Sequence, residues 1–170
     1  MSMTETLNGD GLRWRDLVKP GDPEKVRNLC RSSGVFTPEE VQVAGELVEE
    51  HLLKGPACGY HFIFVEQMDS MVGYVCFGPT PFTAVSYDIY WIAVEQRHRF
   101  HGIGHEILVR CEQLIHLKGG RRIYVETASL PSYLPTRTFY EKNGYVCEAL
   151  LKDFYEPDNH KIIFVKVMAP

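Results

Sequence analysis

The segment Arg99-Phe100-His101-Gly102-Ile103-Gly104 sets two glycines one residue apart behind an arginine, at the head of an amphipathic stretch. Glycines at this spacing let a backbone approach a ligand closely, and the N–H groups and dipole of a helix N-terminus attract an anion. Arg97 and Arg99 add positive charge where a diphosphate would lie. A dinucleotide fingerprint would need a third glycine where Ile107 stands, and would not follow antiparallel strands. A Walker loop would need Gly-Lys-Ser/Thr, which is absent.

Asp88 is the second candidate. It lies among Tyr87, Ile89, Tyr90 and Trp91, where an acidic group is out of place. Partial burial raises a carboxyl pKa and makes the group a better proton acceptor. Tyr90 shares its face by strand alternation and can help carry the proton through water. Asp88 either takes a proton from an amine or binds an ammonium without deprotonating it. Glu126, on a later strand, is the rival base or else points to the opposite face. His98, His101 and His105 straddle a loop-to-helix boundary with no acidic ligand beside them, so they read as solvated histidines of the anion loop, and no metal is expected. Cys76 and Cys147 have no base adjacent in sequence, which disfavours an acyl-carrying thiol.

These groups need a scaffold, and hydrophobic periodicity supplies its outline. Residues 11–19 read as a strand, and Asp22-Pro23 as an N-cap with proline at the first helical position. Thr37-Pro38-Glu39-Glu40 is a capping box opening a second helix that Gly55-Pro56 stops. Strands follow at 60–66, 71–77 and 86–94, the first two as a hairpin. Ile103, Ile107, Leu108, Cys111, Leu114 and Ile115 trace one helical face, which Gly119-Gly120 closes. Residues 122–128 form a strand and Pro135 to Asn143 a short helix ended by Gly144. Two last strands, about 145–154 and 161–168, flank the turn at Glu156-Pro157-Asp158-Asn159. The strand–helix–strand unit through 86–128 demands a right-handed crossover and a parallel pair in an otherwise antiparallel sheet. The expected class is α+β with a mixed sheet, in a single domain over residues 1–170 with its core at about 11–168.

Composition narrows the partners. The formal charge of -4 argues against extensive contact with a phosphate backbone, so nucleic acid is not expected. No apolar run approaches the roughly 20 residues that span a bilayer, so no membrane association is expected. The N-terminal residues carry neither a basic nor an apolar region, and the five cysteines form no CxxC pair. A cytoplasmic chain with free thiols is the expectation.

The run Val94-Glu95-Gln96-Arg97-His98-Arg99-Phe100-His101-Gly102-Ile103-Gly104 resembles the acyl-CoA signature of the GNAT superfamily, Arg/Gln-x-x-Gly-x-Gly/Ala. Phe139-Tyr140-Glu141-Lys142-Asn143-Gly144-Tyr145 resembles the family's second motif, and the element order is similar from about residue 11 to 168. The resemblance implies that acetyl-CoA is the co-substrate. Main-chain groups of Ile92, Ala93 and Val94 would bond its pantetheine arm in a gap between strands 86–94 and 122–128. Amides of Arg99, Phe100, His101, Gly102, Ile103, Gly104 and His105 would cradle its pyrophosphate. It also implies that Tyr140 protonates the departing thiolate. Many members carry Asn and Ala where this chain has Tyr133 and Thr136, so those two would substitute in cofactor contact. The activity implied is N-acetyl transfer to a primary amine of a small molecule or amino-acid-like acceptor, with a peptide or protein amine as the alternative. A non-catalytic acyl-CoA-binding module would keep the loop but need neither Tyr140 nor Asp88. Dimers are common in the family, and a homodimer is the assembly it suggests.

Overall fold

In this computed structural model residues 6–7, 11–99 and 101–169 are described, the first pair by backbone alone. The elements in chain order are β1 (Thr6–Leu7), β2 (Arg13–Arg15), α1 (Asp22–Ser33), α2 (Pro38–Lys54), β3 (His61–Gln67), β4 (Ser70–Pro79), β5 (Ser86–Val94), α3 (Ile103–Leu117), β6 (Arg122–Ala128), α4 (Leu134–Lys142), β7 (Val146–Glu156) and β8 (Asn159–Val167). The class is α+β, with a mostly antiparallel mixed sheet and one parallel strand pair. The chain divides into two compact units, Met1–Gly78 with Trp91–Cys111, and Pro79–Tyr90 with Glu112–Pro170, so β5 and α3 each contribute to both.

In the first unit β1, β2, β3 and β4 pair antiparallel in that order, and the backbone N–H of Glu95, just past β5, donates to the Val72 carbonyl at 2.9 Å. Strands β3 and β4 are buried almost without interruption instead of alternating, because helices cover both their faces. On one face the Cys30 thiol of α1 lies 3.5 Å from the Tyr74 hydroxyl of β4. On the other, Gly73 meets α3: a Cβ there would come within 2.8 Å of Ile107 Cδ1 and 3.4 Å of Ile103 Cγ2. Gly73 thus permits the close approach of the helix that follows the anion loop.

The expected N-cap at Asp22 is corrected. Gly21 caps α1, and Asp22 is its first residue. The Asp22 carboxylate accepts from the backbone of Lys19 at 2.7 Å and from both Nη atoms of Arg15, at 2.8 and 2.7 Å. Arg15 also donates to Glu66 at 2.9 Å, and Lys25 reaches Glu66 at 3.1 Å. Burial alone would raise the Glu66 pKa, but the hydrogen bonds and charges of Arg15 and Lys25 win and hold it at about 2. A buried network of this kind knits β2, α1 and β3 together, and removing one member strands the others. The capping box is present as read: Glu40 N donates to Thr37 Oγ1 at 3.2 Å, and Thr37 N to Glu40 Oε2 at 2.8 Å. The strand expected at 11–19 shortens to Arg13–Arg15, the stretch that pairs with β3.

In the second unit β5 runs parallel to β6, β6 is antiparallel to β8, and β8 is antiparallel to β7, which ends the order. Ile123, Val125 and Phe164 fill the buried face, where Tyr140 lies 6.2 Å from Phe164 between ring centroids. On β7 almost every residue is exposed, including Val146, Leu150, Leu151, Phe154 and Tyr155. Its pairing with β8 is interrupted between Cys147 and Ala149 and again between Leu151 and Glu156, and Asp153 sits at φ 51°.

Candidate active site

The loop from Arg99 to Gly104, the candidate anion site, belongs to the first unit. Past β5 the chain makes a short 3-10 turn, Gln96–His98, then reaches Arg99. Glu95 accepts from Arg97 at 2.8 Å and from His98 Nδ1 at 2.8 Å, and His98 Nε2 lies 3.0 Å from Gln67 Oε1. The Arg97 contacts lead in lowering the Glu95 pKa. His98 is thus engaged with protein groups, while His101 and His105 are exposed.

The Arg99 guanidinium donates to the Ser33 carbonyl at 2.6 Å, at the C-terminal end of α1, and its backbone N–H donates to Gln96 O at 3.3 Å. Arg99 therefore ties the loop to α1, a role its place in the motif did not signal. Phe100 lies outside the described residues. Gly102 has φ 81° and nothing within 4 Å of where a Cβ would stand, an open left-handed position that favours glycine. Its carbonyl accepts from Glu106 N at 3.0 Å, the first turn of α3, so the amides that follow lie at a helix start. Ile103 is buried and Gly104 half-buried in that turn. Ahead of the loop, Ala93 is buried, while Ile92 and Val94 are half-buried.

The acid–base candidates belong to the second unit. The parallel ladder pairs Ser86 with Arg122 and Asp88 with Tyr124, and ends at Ile89 with Val125, while β6 continues to Ala128. Asp88 shares a sheet face with Tyr124, and Glu126 is two residues further on, so both carboxylates stand on one face. That settles the orientation of Glu126. Asp88 is half-buried, and the Thr80 hydroxyl donates to its Oδ2 at 2.7 Å. Burial raises the Asp88 pKa; the Thr80 hydrogen bond opposes this and the charge of Glu126 adds to it. Glu126 is exposed and ion-paired with Lys161 at 2.6 Å. Thr80 was invisible to sequence reading, since it lies eight positions from Asp88 across a turn and only the fold brings them together.

Tyr140 is buried in α4, with Phe139 at 5.3 Å and Tyr145 at 5.4 Å between ring centroids. Tyr145 in turn donates to Glu112 at 3.1 Å, and Lys166 reaches the same carboxylate at 2.7 Å. Tyr133 and Thr136 are half-buried around the first turn of α4. Arg137 fastens that turn to the end of β6, donating to the carbonyls of Ala128 at 2.8 Å and Leu130 at 3.0 Å. Burial pushes the Cys76 thiol well above its usual range, which removes it as a nucleophile.

A model of the GNAT acetyltransferase domain matches residues 58–147, which include the anion loop, Asp88, Glu126 and the Tyr140 segment. The chain belongs to the GNAT acetyltransferase family. A solved GNAT-family protein from Desulfovibrio desulfuricans is 46% identical, with a TM-score of 0.91 over 93% of this chain and 99% of its own. An aminoglycoside 6'-N-acetyltransferase complexed with coenzyme A is 21% identical, with a TM-score of 0.75 over 92% of this chain and 97% of its own. Ard1 from Thermoplasma volcanium is 18% identical, with a TM-score of 0.74 over 94% and 99%. The last two likenesses show the fold. No curated protein matches the chain.

Proposed function

We propose that this GNAT-family chain transfers the acetyl group of acetyl-CoA directly to the primary amine of a small molecule or amino-acid-like acceptor. The observation that carries this reading is Asp88: a half-buried carboxylate, held by Thr80 and raised in pKa, at the point where the β5–β6 ladder stops. An alkyl ammonium has a pKa of roughly 10 and must lose a proton before its nitrogen can attack a thioester. Asp88 accepts that proton, with Tyr90 assisting through water. Paired to Lys161, Glu126 is the weaker candidate and helps by keeping the Asp88 carboxylate basic.

Acetyl-CoA fits the backbone at the start of α3, where Gly102 leaves its surroundings open and the first N–H groups of a helix have no acceptor within the helix itself. Amides from His101 to His105 hold the pyrophosphate, and main-chain groups of Ile92, Ala93 and Val94 hold the pantetheine arm. A backbone N–H near Ile92 or Ala93 meets the oxyanion as the tetrahedral intermediate forms. Tyr140 gives its proton to the departing thiolate, and Tyr133 and Thr136 contact the cofactor. The aminoglycoside acetyltransferase among the structural neighbours supports a small-molecule amine acceptor.

Incubation with acetyl-CoA and a panel of primary amines, read by thiol release, tests the reading. Turnover with at least one amine is expected. Tight coenzyme A binding by calorimetry with no turnover on a broad panel would instead indicate a non-catalytic coenzyme A-binding module.

A further inference from the structure

The loop between β4 and β5 carries an aromatic side chain that no step above uses. Phe82 is fully exposed, at 109% of its reference area, and its φ is 62°. Pro81 precedes it, and Thr83 N donates to Thr80 O at 3.3 Å, which closes a turn of type II pattern. The third place in such a turn ordinarily holds glycine or asparagine, and a bulky residue at positive φ is a genuine outlier. Further bonds hold it there: Thr83 Oγ1 donates to Thr80 O at 2.7 Å, and Thr80 N donates to Ser86 O at 2.9 Å. Backbone strain and an unburied ring thus coincide at one residue, and backbone strain of this kind clusters at ligand-clamping sites.

The turn is fastened to the candidate base. Thr80, its first residue, is the one whose hydroxyl donates to Asp88 Oδ2 at 2.7 Å. Phe82 is two residues on, so its Cα lies at most about 7 Å from that of Thr80. The strained aromatic residue and the Asp88 carboxylate are thus tied to the same turn.

We propose that Phe82 determines acceptor specificity: its ring packs against an apolar, aromatic-sized body of the acceptor while Asp88 receives the amine. This rests on the reading of Asp88 as the amine-side carboxylate. The acceptor class is then a primary amine that bears an aromatic or bulky apolar group, in preference to a short alkylamine. Glycine at position 82 would relieve the backbone, so Phe82→Gly removes the ring without threatening the fold.

The test compares 2-phenylethylamine with ethylamine as acceptors from acetyl-CoA. The unsubstituted chain is expected to favour 2-phenylethylamine by about 10-fold or more in kcat/KM, within the range one apolar contact region can supply. Phe82→Gly should collapse that ratio through the KM for 2-phenylethylamine, with Tm unchanged or raised. Phe82→Trp should keep the ratio, and Met68→Ala, which removes an exposed apolar side chain from the β3–β4 turn, should not alter it. A ratio unchanged in Phe82→Gly overturns the proposal. If neither amine turns over, acetyl transfer to such amines fails on its own account, and titrating 2-phenylethylamine into Phe82→Trp with coenzyme A present decides the point by fluorescence. A saturable change beyond that of the unsubstituted chain supports the seat, and a flat response overturns it.

Discussion

At the residue scale, a carboxyl partly withdrawn from water holds its proton to higher pH than one in solvent, and Asp88 is in that position. The folded state therefore binds this proton more tightly than the unfolded chain does. The stability Asp88 contributes is present below its unfolded pKa and is lost as pH rises through the raised folded value. At neutral pH its ionised form burdens the fold. Asp88→Asn keeps an oxygen for Thr80 to donate to and removes the charge. It is expected to raise Tm at pH 7 while cutting kcat by about 100-fold or more, the ordinary contribution of a general base. Thermal unfolding and thiol release on one preparation check both halves; a lost rate with lowered Tm would mark Asp88 as structural. Tyr140→Phe keeps the ring that packs on Phe139, Tyr145 and Phe164, so its effect should fall on kcat by about 100-fold. Coenzyme A affinity should hold in calorimetry. An unchanged kcat removes Tyr140 from the chemistry.

At the element scale, the seat of α3 depends on a missing side chain on β4. Gly73→Ala presses a Cβ against the mobile end of Ile107, which can turn aside, whereas Gly73→Val also crowds Ile103 at the first turn. Gly73→Val is expected to weaken coenzyme A binding several-fold in calorimetry, with a smaller change for alanine. Loss of the box at α2 through Thr37→Ala should cost about 1 kcal/mol in urea unfolding and leave coenzyme A binding alone. That box was legible because its partners are three residues apart, and strands 86–94 and 122–128 were legible because their β-branched and aromatic runs are bounded by turn residues. The turn into α3 was legible for a related reason, since the left-handed position that Gly102 occupies favours glycine. The parallel pairing of strands 86–94 and 122–128 followed from the helix between them, but long-range side-chain pairing was not legible. Asp22 looked like a cap because its natural partner Arg15 is identified only once β2 and α1 meet, and the tie from Arg99 to Ser33 was out of view because the two are 66 positions apart. The orientation of Glu126 waited on the register that puts it across from Ile163, and its neutralisation waited on Lys161.

At the scale of the molecule, acid sensitivity should centre on Glu66. Its folded pKa of about 2 lies below the unfolded value of 4.5, so its contribution is fully present above pH 4.5 and fades as pH falls toward 2. Over that window the linked stability is about 3 kcal/mol. Glu66→Gln should lower unfolding stability at pH 7 by roughly 3 kcal/mol, because Arg15 stays buried with Asp22 as its one remaining carboxylate among the described residues, and should flatten the acid limb of a Tm-against-pH curve. An acid limb that keeps its slope would relocate the sensitive group. The outermost strand, β7, governs a different property. The eleven residues of β7, which ends the sheet among the described residues, expose Val146, Leu150, Leu151, Phe154 and Tyr155 and form a template that another chain could extend. The interruptions at Cys147–Ala149 and Leu151–Glu156 twist that template out of flatness and leave only short runs to copy. Straightening either one would lower the chain's solubility limit and shorten the lag before fibrils seed, with the folded stability of a single molecule left as it was.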